Sequence, residues 1–168
     1  MALFSPCGHI DKITDINIDM LKTLSVDTVF ADIDNTVKRY GDNEPYDGVD
    51  RWVKEMRRHG IKIILCSNNY KKNVEPFAEK MNLPYVHMCL KPSPFGFYRA
   101  KHKLGSKRKN IVVVGDQLFT DIFGANISML KSILVEPIET SGEAGTVAFR
   151  RALENRQRKR ILQRKNPF

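Results

Sequence analysis

The sequence predicts an α/β domain in which one parallel sheet is covered by helices on both faces. Apolar, strand-like runs alternate with segments of helical periodicity along the chain, a pattern typical of parallel βαβ units. Four of these runs lead directly into polar residues, which places the polar residues at the carboxyl edge of the sheet, where α/β proteins bind ligands. The 168 residues, 42% of them hydrophobic, suit a single folded domain. We therefore expect a three-layer domain with about five strands.

Five apolar runs that favour extended structure account for the predicted strands. In chain order, they cover residues 29–31, 61–66, 84–90, 111–114 and 132–135. The run at 111–114 is the strongest of them because it contains only Ile and Val.

Segments with apolar residues at helical spacing lie between the strands and before the first one. They cover residues 17–24, 50–59, 71–81, 93–104 and 119–129. Ser93 and Pro94 suit the N-cap and first position of the fourth helix, and Gly105 suits its end. Pro76 predicts a late start or a kink in the third helix. Residues 37–48 are polar and turn-rich, so we expect a loop or small hairpin over the site.

Two carboxylates follow the first strand in the sequence Asp32-Ile33-Asp34-Asn35-Thr36. Side chains two positions apart in an extended segment point the same way, so Asp32 and Asp34 can address one site. Because neighbouring carboxylates repel each other, the pair predicts a bound cation, and a hard ion with oxygen ligands such as Mg²⁺ meets that need. A polar turn that merely closes the strand is the alternative interpretation.

Three further strands deliver different chemical groups to the same edge. The second run leads into Ser67-Asn68-Asn69, and the third leads into Lys91-Pro92. The fourth ends in Gly115-Asp116, with Asp121 five residues further on. Turn chemistry alone does not readily explain four such groups in series.

These four motifs resemble those of phosphatases of the haloacid dehalogenase superfamily, over about residues 26–135. The complete set in this order is highly specific. Within the superfamily, Asp34-Asn35-Thr36, the short spacings and the ending Leu118-Phe119-Thr120-Asp121 are most similar to the YqeG-like, III-A group. That group includes phosphatidylglycerophosphate phosphatases. The resemblance implies a Rossmann-like fold of the type found in this superfamily.

The resemblance also implies phosphate-monoester hydrolysis in two displacements through an aspartyl-phosphate. In this pattern Asp32 is the nucleophile, and Asp34 protonates the leaving oxygen and later activates water. Mg²⁺ would be held by Asp32, by the backbone carbonyl of Asp34 and by Asp116.

The remaining motif residues are expected to bind the substrate or to support these groups. Ser67 and Asn68, with nearby backbone amides, would bind phosphoryl oxygens, and Lys91 would supply a fixed catalytic charge. Thr36 would orient the first-motif loop at the substrate. Asp121 is expected behind the direct metal ligands, where it would anchor Lys91 or hydrogen-bond a water molecule on the metal.

The motif spacing leaves no room for a cap domain. Superfamily members with mobile caps insert them in one of two intervals, which here are 33 residues from Asp34 to Ser67 and 24 residues from Ser67 to Lys91. Each interval is already used by a helix and a strand. We therefore expect a capless, open site, which has no lid to enclose a small metabolite but can accept a phosphate displayed on a large surface.

Positive charge is concentrated at the C-terminal end of the chain. Eight Lys or Arg residues and the single acid Glu154 lie between positions 150 and 165, which accounts for most of the net charge of +9. We divide the chain into a catalytic domain, residues 1–145 with an N-terminal lead-in segment, and a basic helix or tail, residues 146–168. The tail is expected to contact anionic phospholipids at a membrane surface, and a solvated or frayed basic helix is the alternative.

Cysteine content and hydropathy indicate where in the cell the protein is located. Three cysteines at unrelated positions give no disulfide framework, which suits a reducing cytoplasm. The N-terminus lacks a secretory signal pattern, and no apolar run approaches the ~20 residues of a membrane span. We expect a cytoplasmic enzyme, peripheral on the inner face of the membrane.

The leading functional prediction is a Mg²⁺-dependent phosphatase for phosphatidylglycerophosphate, and two alternatives stay open. One is a soluble phosphatase for nucleotides, sugar phosphates or phosphoproteins. The other is a non-catalytic phosphate- or nucleic-acid-binding protein. A pure binding module has little need of Asp34, and the tail lacks the interleaved aromatic residues of RNA recognition, so no specific nucleic-acid partner is expected. The oligomeric state is not predicted.

Overall fold

The computed structural model describes residues 3–140, 145–163, 166 and 168. Residues 1–2, 141–144, 164–165 and 167 lie outside the described residues, and they include two cations of the predicted basic tail.

One sheet of six strands forms the centre of the fold. The strands are β1 (Gly8–Ile10), β2 (Thr28–Ala31), β3 (Lys62–Cys66), β4 (Tyr85–Val86), β5 (Ile111–Gly115) and β6 (Lys131–Val135). Their order is β1-β6-β5-β2-β3-β4, and every neighbouring pair is parallel. The predicted parallel α/β fold is confirmed.

The sheet has one strand more than the expected five. The additional strand β1 lies at the edge and has only three residues, which pair with β6. Neither a long apolar run nor a clear alternation marks so short a strand in the sequence.

The strand β4 is shorter than the sequence predicts and ends at Val86 instead of Leu90. Met88 and Leu90 have positive φ values of 43° and 55°, which a strand does not allow. The N–H of Met88 donates to the carbonyl of Asn69 at 2.9 Å. The chain therefore turns over the end of β3 and brings Lys91 to the edge of the sheet.

Helices are present in all the predicted segments. They are α1 (Ile18–Thr23), α2 (Val49–Arg58), α3 (Lys71–Lys80), α4 (Pro94–Leu104), α5 (Phe123–Ile127) and α6 (Gly145–Leu162). The helix α3 starts at Lys71 and runs through Pro76, so the predicted late start is wrong. The segment before α5, Leu118–Ile122, forms a π-helical turn. In α4, the side chain of Ser93 accepts the N–H of Phe95, as predicted for an N-cap.

The helices form two layers around the sheet. Val29 and Ala31 of β2 join the core beneath α1, α2 and α3, whereas Phe30 faces the opposite side. There its ring lies 6.3 Å from the ring of Phe97 in α4. Alternate residues of a strand thus fill two separate cores, as expected for a central parallel sheet.

Neither interval between the first three motifs holds an inserted domain. Residues 32–48 form a loop, which we call the flap, closed by a backbone bridge between Asp34 and Lys38. Residues 67–70 join β3 directly to α3. The carboxyl edge of the sheet is therefore open, as the spacing predicts.

None of the helices in the described part of the chain is both long enough and apolar enough to cross a membrane.

Candidate active site

A buried lysine joins two carboxylates at the carboxyl edge of the sheet. The ammonium group of Lys91 donates to Asp32 Oδ1 at 2.5 Å and to Asp121 Oδ1 at 2.6 Å. A third hydrogen bond, of 3.0 Å, reaches the carbonyl of Cys66 at the end of β3. Because an ammonium group has three donors and no acceptor, these partners satisfy it completely. The segments that follow β2, β4 and β5 therefore meet in one buried network.

Burial and charge act in opposite directions on the pKa values of this network. Burial disfavours the charged form of Lys91, but the carboxylates of Asp121 and Asp32 outweigh it and raise the pKa well above its usual value. Burial raises the pKa of Asp32 well above its usual range, against the attraction of Lys91. The charges of Asp121 and Asp116 add to that rise. The site thus holds more negative charge than one lysine neutralises.

Asp116, directly after β5, is fully buried. Its Oδ2 accepts a hydrogen bond from Nη2 of Arg151 at 2.6 Å, whereas its buried Oδ1 has no hydrogen-bond partner among the described residues. Burial, reinforced by the charge of Asp121, raises the pKa of Asp116 to about 7, although Arg151 opposes the shift. A bound cation would satisfy such an orphaned carboxylate oxygen.

Three carboxylates are arranged so that they could hold a metal ion. One oxygen each from Asp32, Asp116 and Asp121 lies within 4.8 Å of the others. The set offers hard oxygen ligands without His or Cys, which suits a hard divalent cation. Together with the orphaned oxygen of Asp116, this donor set fits such an ion. The structure brings Asp121 into the cluster, whereas the sequence analysis expects it behind the direct ligands.

The carboxylate of Asp34 makes its contact within the flap. Its Oδ1 accepts a hydrogen bond from the buried ammonium group of Lys38 at 2.6 Å. A cavity of about 350 Å³ opens here between the flap and the start of α3, and Ser67 and Lys72 also line it. Sequence reasoning missed Lys38, although its spacing of four residues from Asp34 was an available signal.

The polar residues after β3 support the lysine from behind. The Oδ1 of Asn68 accepts the backbone N–H of Lys91 at 2.7 Å, and its Nδ2 donates to the carbonyl of Lys91 at 3.0 Å. The buried Ser67 accepts the N–H of Asn69 at 3.0 Å through its hydroxyl oxygen. Thr36 is buried, and its hydroxyl has no hydrogen-bond partner among the described residues. Substrate binding by Thr36, Ser67 and Asn68 stays a prediction.

The C-terminal helix α6 packs against the loop that carries Asp116. The buried guanidinium group of Arg158 donates to the carbonyl of Asp116 at 2.8 Å and to the carbonyl of Val135 at 2.6 Å. Its Nε donates to a carboxylate oxygen of Glu136 at 3.3 Å. One side chain therefore fastens the ends of β5 and β6 to the helix.

Glu154, one turn earlier in α6, holds the other end of the same loop. Its buried carboxylate accepts the N–H of Phe119 at 2.8 Å. Burial raises the pKa of Glu154, and the backbone N–H groups of Phe119 and Leu118 oppose that shift. Ile161 packs against Leu118 and Ile122. Polar and apolar contacts together hold this side of the helix on the domain.

Sequence reasoning missed these contacts because a run of cations is usually a solvated surface. The available signal was the spacing of positions 151, 154, 158 and 161, which share one helical face and include the only acid of the run. Whether residues 146–168 act as a tail separate from the domain stays a prediction. The described inner face of α6 is in contact with the domain.

Replacing Lys91 with Met should strongly destabilise the metal-free protein, because Asp32 and Asp121 would become buried carboxylates without a cation. We expect the free energy of unfolding in urea, measured with a chelator present, to fall by about 3–5 kcal/mol. Lys72→Met, at an exposed lysine, is the matched control and should change it by less than about 0.5 kcal/mol. Adding Asp121→Asn to Lys91→Met should restore part of the loss. Equal losses for the two lysine variants would contradict the network.

Replacing Arg158 with Met should leave the buried carbonyls of Asp116 and Val135 without a donor. We expect the free energy of unfolding to fall by about 2–4 kcal/mol, and hydrogen exchange at the Phe119 amide to become faster. Arg156→Met, at an exposed position of the same helix, provides the comparison and should stay within about 0.5 kcal/mol of the wild type. The assigned role of α6 fails if both variants behave alike.

Comparison with known proteins adds to the geometry of the site. Residues 7–127 match the model of the haloacid dehalogenase-like hydrolases. A curated protein named Probable phosphatase YqeG, from Bacillus subtilis (strain 168), is 33% identical over 153 residues. The match covers 91% of this chain and 88% of that protein.

Solved structures share the fold at low sequence identity. The 4-nitrophenylphosphatase from Thermotoga maritima superposes with a TM-score of 0.58 at 12% identity, over 71% of this chain and 89% of that chain. An uncharacterized protein from Listeria monocytogenes serotype 4b superposes with a TM-score of 0.56 at 13% identity. The superposition covers 79% of this chain and 99% of that chain. These two likenesses show the fold alone.

The family match and the curated relative identify the family as well as the fold. The predicted superfamily, its YqeG-like group and a hydrolase of the phosphatase type are confirmed. The chain belongs to the haloacid dehalogenase-like hydrolase family.

Proposed function

We propose that this protein is a Mg²⁺-dependent phosphatase that forms an aspartyl-phosphate on Asp32 and acts on phosphatidylglycerophosphate at a membrane surface. The observation that carries the proposal is the contact of the Lys91 ammonium group with Asp32 and Asp121, beside the orphaned oxygen of Asp116. A fixed cation, a nucleophilic carboxylate and a vacant carboxylate ligand then share one edge of the sheet.

The first displacement uses Asp32 and Asp34. Lys91 binds Oδ1 of Asp32, which leaves Oδ2 to attack the phosphorus atom. As the new O–P bond forms, the bond to the alkoxy leaving group breaks, and the carboxylic acid of Asp34 donates a proton to that leaving oxygen. Lys38 orients the carboxyl group of Asp34 through their 2.6 Å contact.

The second displacement frees the enzyme. Asp34, now a carboxylate, takes a proton from water as the water oxygen attacks phosphorus, and the bond between phosphorus and Asp32 breaks. Inorganic phosphate leaves, and Asp34 is again protonated. Asp34 thus acts first as an acid and then as a base.

The remaining residues bind phosphate or place the groups that do so. The hydroxyl of Ser67 and nearby backbone amides bind phosphoryl oxygens, and Lys91 supplies positive charge in a buried setting. Asn68 positions Lys91 through its backbone, and Thr36 orients the first-motif loop. Asp32, the carbonyl of Asp34 and Asp116 would hold Mg²⁺, which would supply charge to offset the repulsion between carboxylates and phosphoryl oxygens.

Three observations support a phospholipid substrate. No inserted cap domain covers the carboxyl edge, which suits a phosphate displayed on a large surface. Lys38 and Lys72 line the adjacent cavity, where they can face the second, diester phosphate of phosphatidylglycerophosphate. The narrower sequence resemblance points to the same substrate.

The proposed location is the cytoplasm, peripheral on the inner face of the membrane. Among the cations of α6 whose side chains the structure describes, Arg156, Lys159 and Arg160 are exposed and can contact the membrane. Arg151 and Arg158 face the domain. A deletion of the whole helix would also remove the support of Asp116, so point substitutions on the exposed side are the suitable test of membrane contact.

A phosphate-release assay over a panel of substrates tests the proposed function. With Mg²⁺, micellar phosphatidylglycerophosphate should be hydrolysed with a kcat/KM at least about tenfold above those of soluble sugar phosphates, nucleotides and phosphopeptides. Chelation should abolish release, and Mg²⁺ should restore it. Preference for a soluble monoester would establish the soluble-phosphatase alternative. Full activity after exhaustive chelation would refute the proposed requirement for a metal ion.

Asp32→Asn should lower kcat by at least about 10³-fold, because an amide does not replace the carboxylate nucleophile. Asp34→Asn should impair both proton transfers. Folding is monitored by urea unfolding, and beryllium fluoride with Mg²⁺ should bind the wild type and not Asp32→Asn. Near-normal phosphate release by a purified Asp32→Asn variant would refute covalent catalysis at this residue.

A further inference from the structure

The charge of the chain is segregated outside the C-terminal helix as well. Residues 81–115 contain seven Lys or Arg residues and no Asp or Glu. Apart from Lys91 in the active site, these cations are Arg99, Lys101, Lys103, Lys107, Arg108 and Lys109. All six lie on α4 or in the segment that joins it to β5. The exposed positions of α2, in contrast, mix acids and bases.

Exposed aromatic residues form a ridge along α4 between the cations. Phe95 is 54% exposed and Tyr98 is 62% exposed. On one side, Arg99 donates to the carbonyl of His87 at 3.0 Å, so it lies toward β4. On the other side, Lys101 lies over the ring of Tyr98, with Nζ at 5.8 Å from the ring centre. Aromatic and cationic side chains are therefore interleaved on one surface.

A shallow groove extends this surface toward α5. It has a volume of about 220 Å³, and Tyr98, Lys101 and Arg108 line it together with Ile127 and Met129. The side chain of Met129 is 68% exposed, and the guanidinium group of Arg108 lies 3.7 Å from its sulfur atom. The groove thus combines apolar walls with cations at its rim.

The surface begins beside the active site. The helix α4 starts at Pro94, three residues after Lys91. Leu90, immediately before that lysine, is 56% exposed. The groove lies at the other end of α4, because Arg108 comes shortly before β5 and Met129 shortly before β6, at the amino edge of the sheet.

We infer that this face of α4, with the adjoining groove, docks on an anionic lipid bilayer. The apolar residues would enter the interface while the cations contact anionic head groups. Aliphatic and thioether side chains such as Leu90, Ile127 and Met129 suit acyl chains and do not stack on bases, which favours lipid over nucleic acid. The inference rests on the proposed phospholipid substrate, and it adds a docking surface distinct from the C-terminal helix.

Co-sedimentation with substrate-free vesicles tests the surface, using phosphatidylcholine alone or with about one quarter phosphatidylglycerol. The wild type should bind the anionic vesicles at low salt and lose binding at high salt, where exposed charges are screened. Lys101→Gln with Arg108→Gln should weaken partitioning roughly 25-fold, since each cation near such a surface accounts for roughly a fivefold change. Phe95→Ser with Tyr98→Ser should weaken binding at low salt as well, although this pair leaves the charge unchanged.

Two control pairs locate the contact. Arg51→Gln with Lys54→Gln removes two exposed cations from α2 and should leave binding unchanged. Arg156→Gln with Lys159→Gln removes two exposed cations from α6 and measures the contribution of that helix to binding. The inference is overturned if only the α6 pair weakens binding, if the α4 variants bind as the wild type does, or if the wild type binds single-stranded oligonucleotides and not vesicles.

Hydrolysis of a soluble monoester separates this inference from the proposed function. The α4 variants should keep wild-type rates on 4-nitrophenyl phosphate, which also shows that they fold. If the wild type binds vesicles through α4 but prefers soluble monoesters in the panel, the lipid-substrate proposal fails and the docking surface stands. If it hydrolyses phosphatidylglycerophosphate while the α4 variants bind vesicles normally, the docking surface fails and the function stands.

Discussion

The ion pairs of Lys91 are the interaction on which the candidate active site depends. Strand register brings the groups together, because Ala31 of β2 lies level with Leu65 of β3 and with Val114 of β5. The residues that follow these strands therefore converge, and buried carboxylates would repel each other without a cation. One ammonium group fixes two of them at hydrogen-bond distance. A buried ion pair adds little net stability compared with apolar packing, so we interpret this one as a means of holding the proposed nucleophile, Asp32, in place.

Asp116 depends on a different part of the chain. Its backbone and carboxylate are both held from α6, through Arg158 and Arg151 respectively. Arg151 occupies one oxygen of Asp116 and leaves the other without a partner among the described residues, so the carboxylate is fixed but keeps a ligand atom for a cation. The basic C-terminal helix is therefore part of the support of the site, although its composition is that of a solvated segment.

Sequence pattern predicts the layers, the central strands and the polar residues that meet at the carboxyl edge, because burial imposes apolar runs and polar residues follow the strand ends. It fails where the determining interaction is not local. The end of β4 depends on positive φ at Met88 and Leu90, which no periodicity reveals. The roles of Arg158 and Glu154 depend on carbonyl and N–H groups far away in sequence, and charged side chains there give the same pattern as a solvated face. The edge strand β1 is too short to produce a periodic signal.

The packing of α4 connects the active site to the surface that we infer for lipid. A Cβ atom at Gly96 would collide with the backbone of Cys89, so this turn of the helix lies directly on the loop that leads to Lys91. Only glycine permits that approach, and α4 cannot shift relative to the loop without opening the contact. The aromatic residues Phe95 and Tyr98 flank Gly96 on the outward side. Their position relative to Lys91 is therefore set by the fold, and a bilayer that contacts them would hold the domain in a fixed orientation.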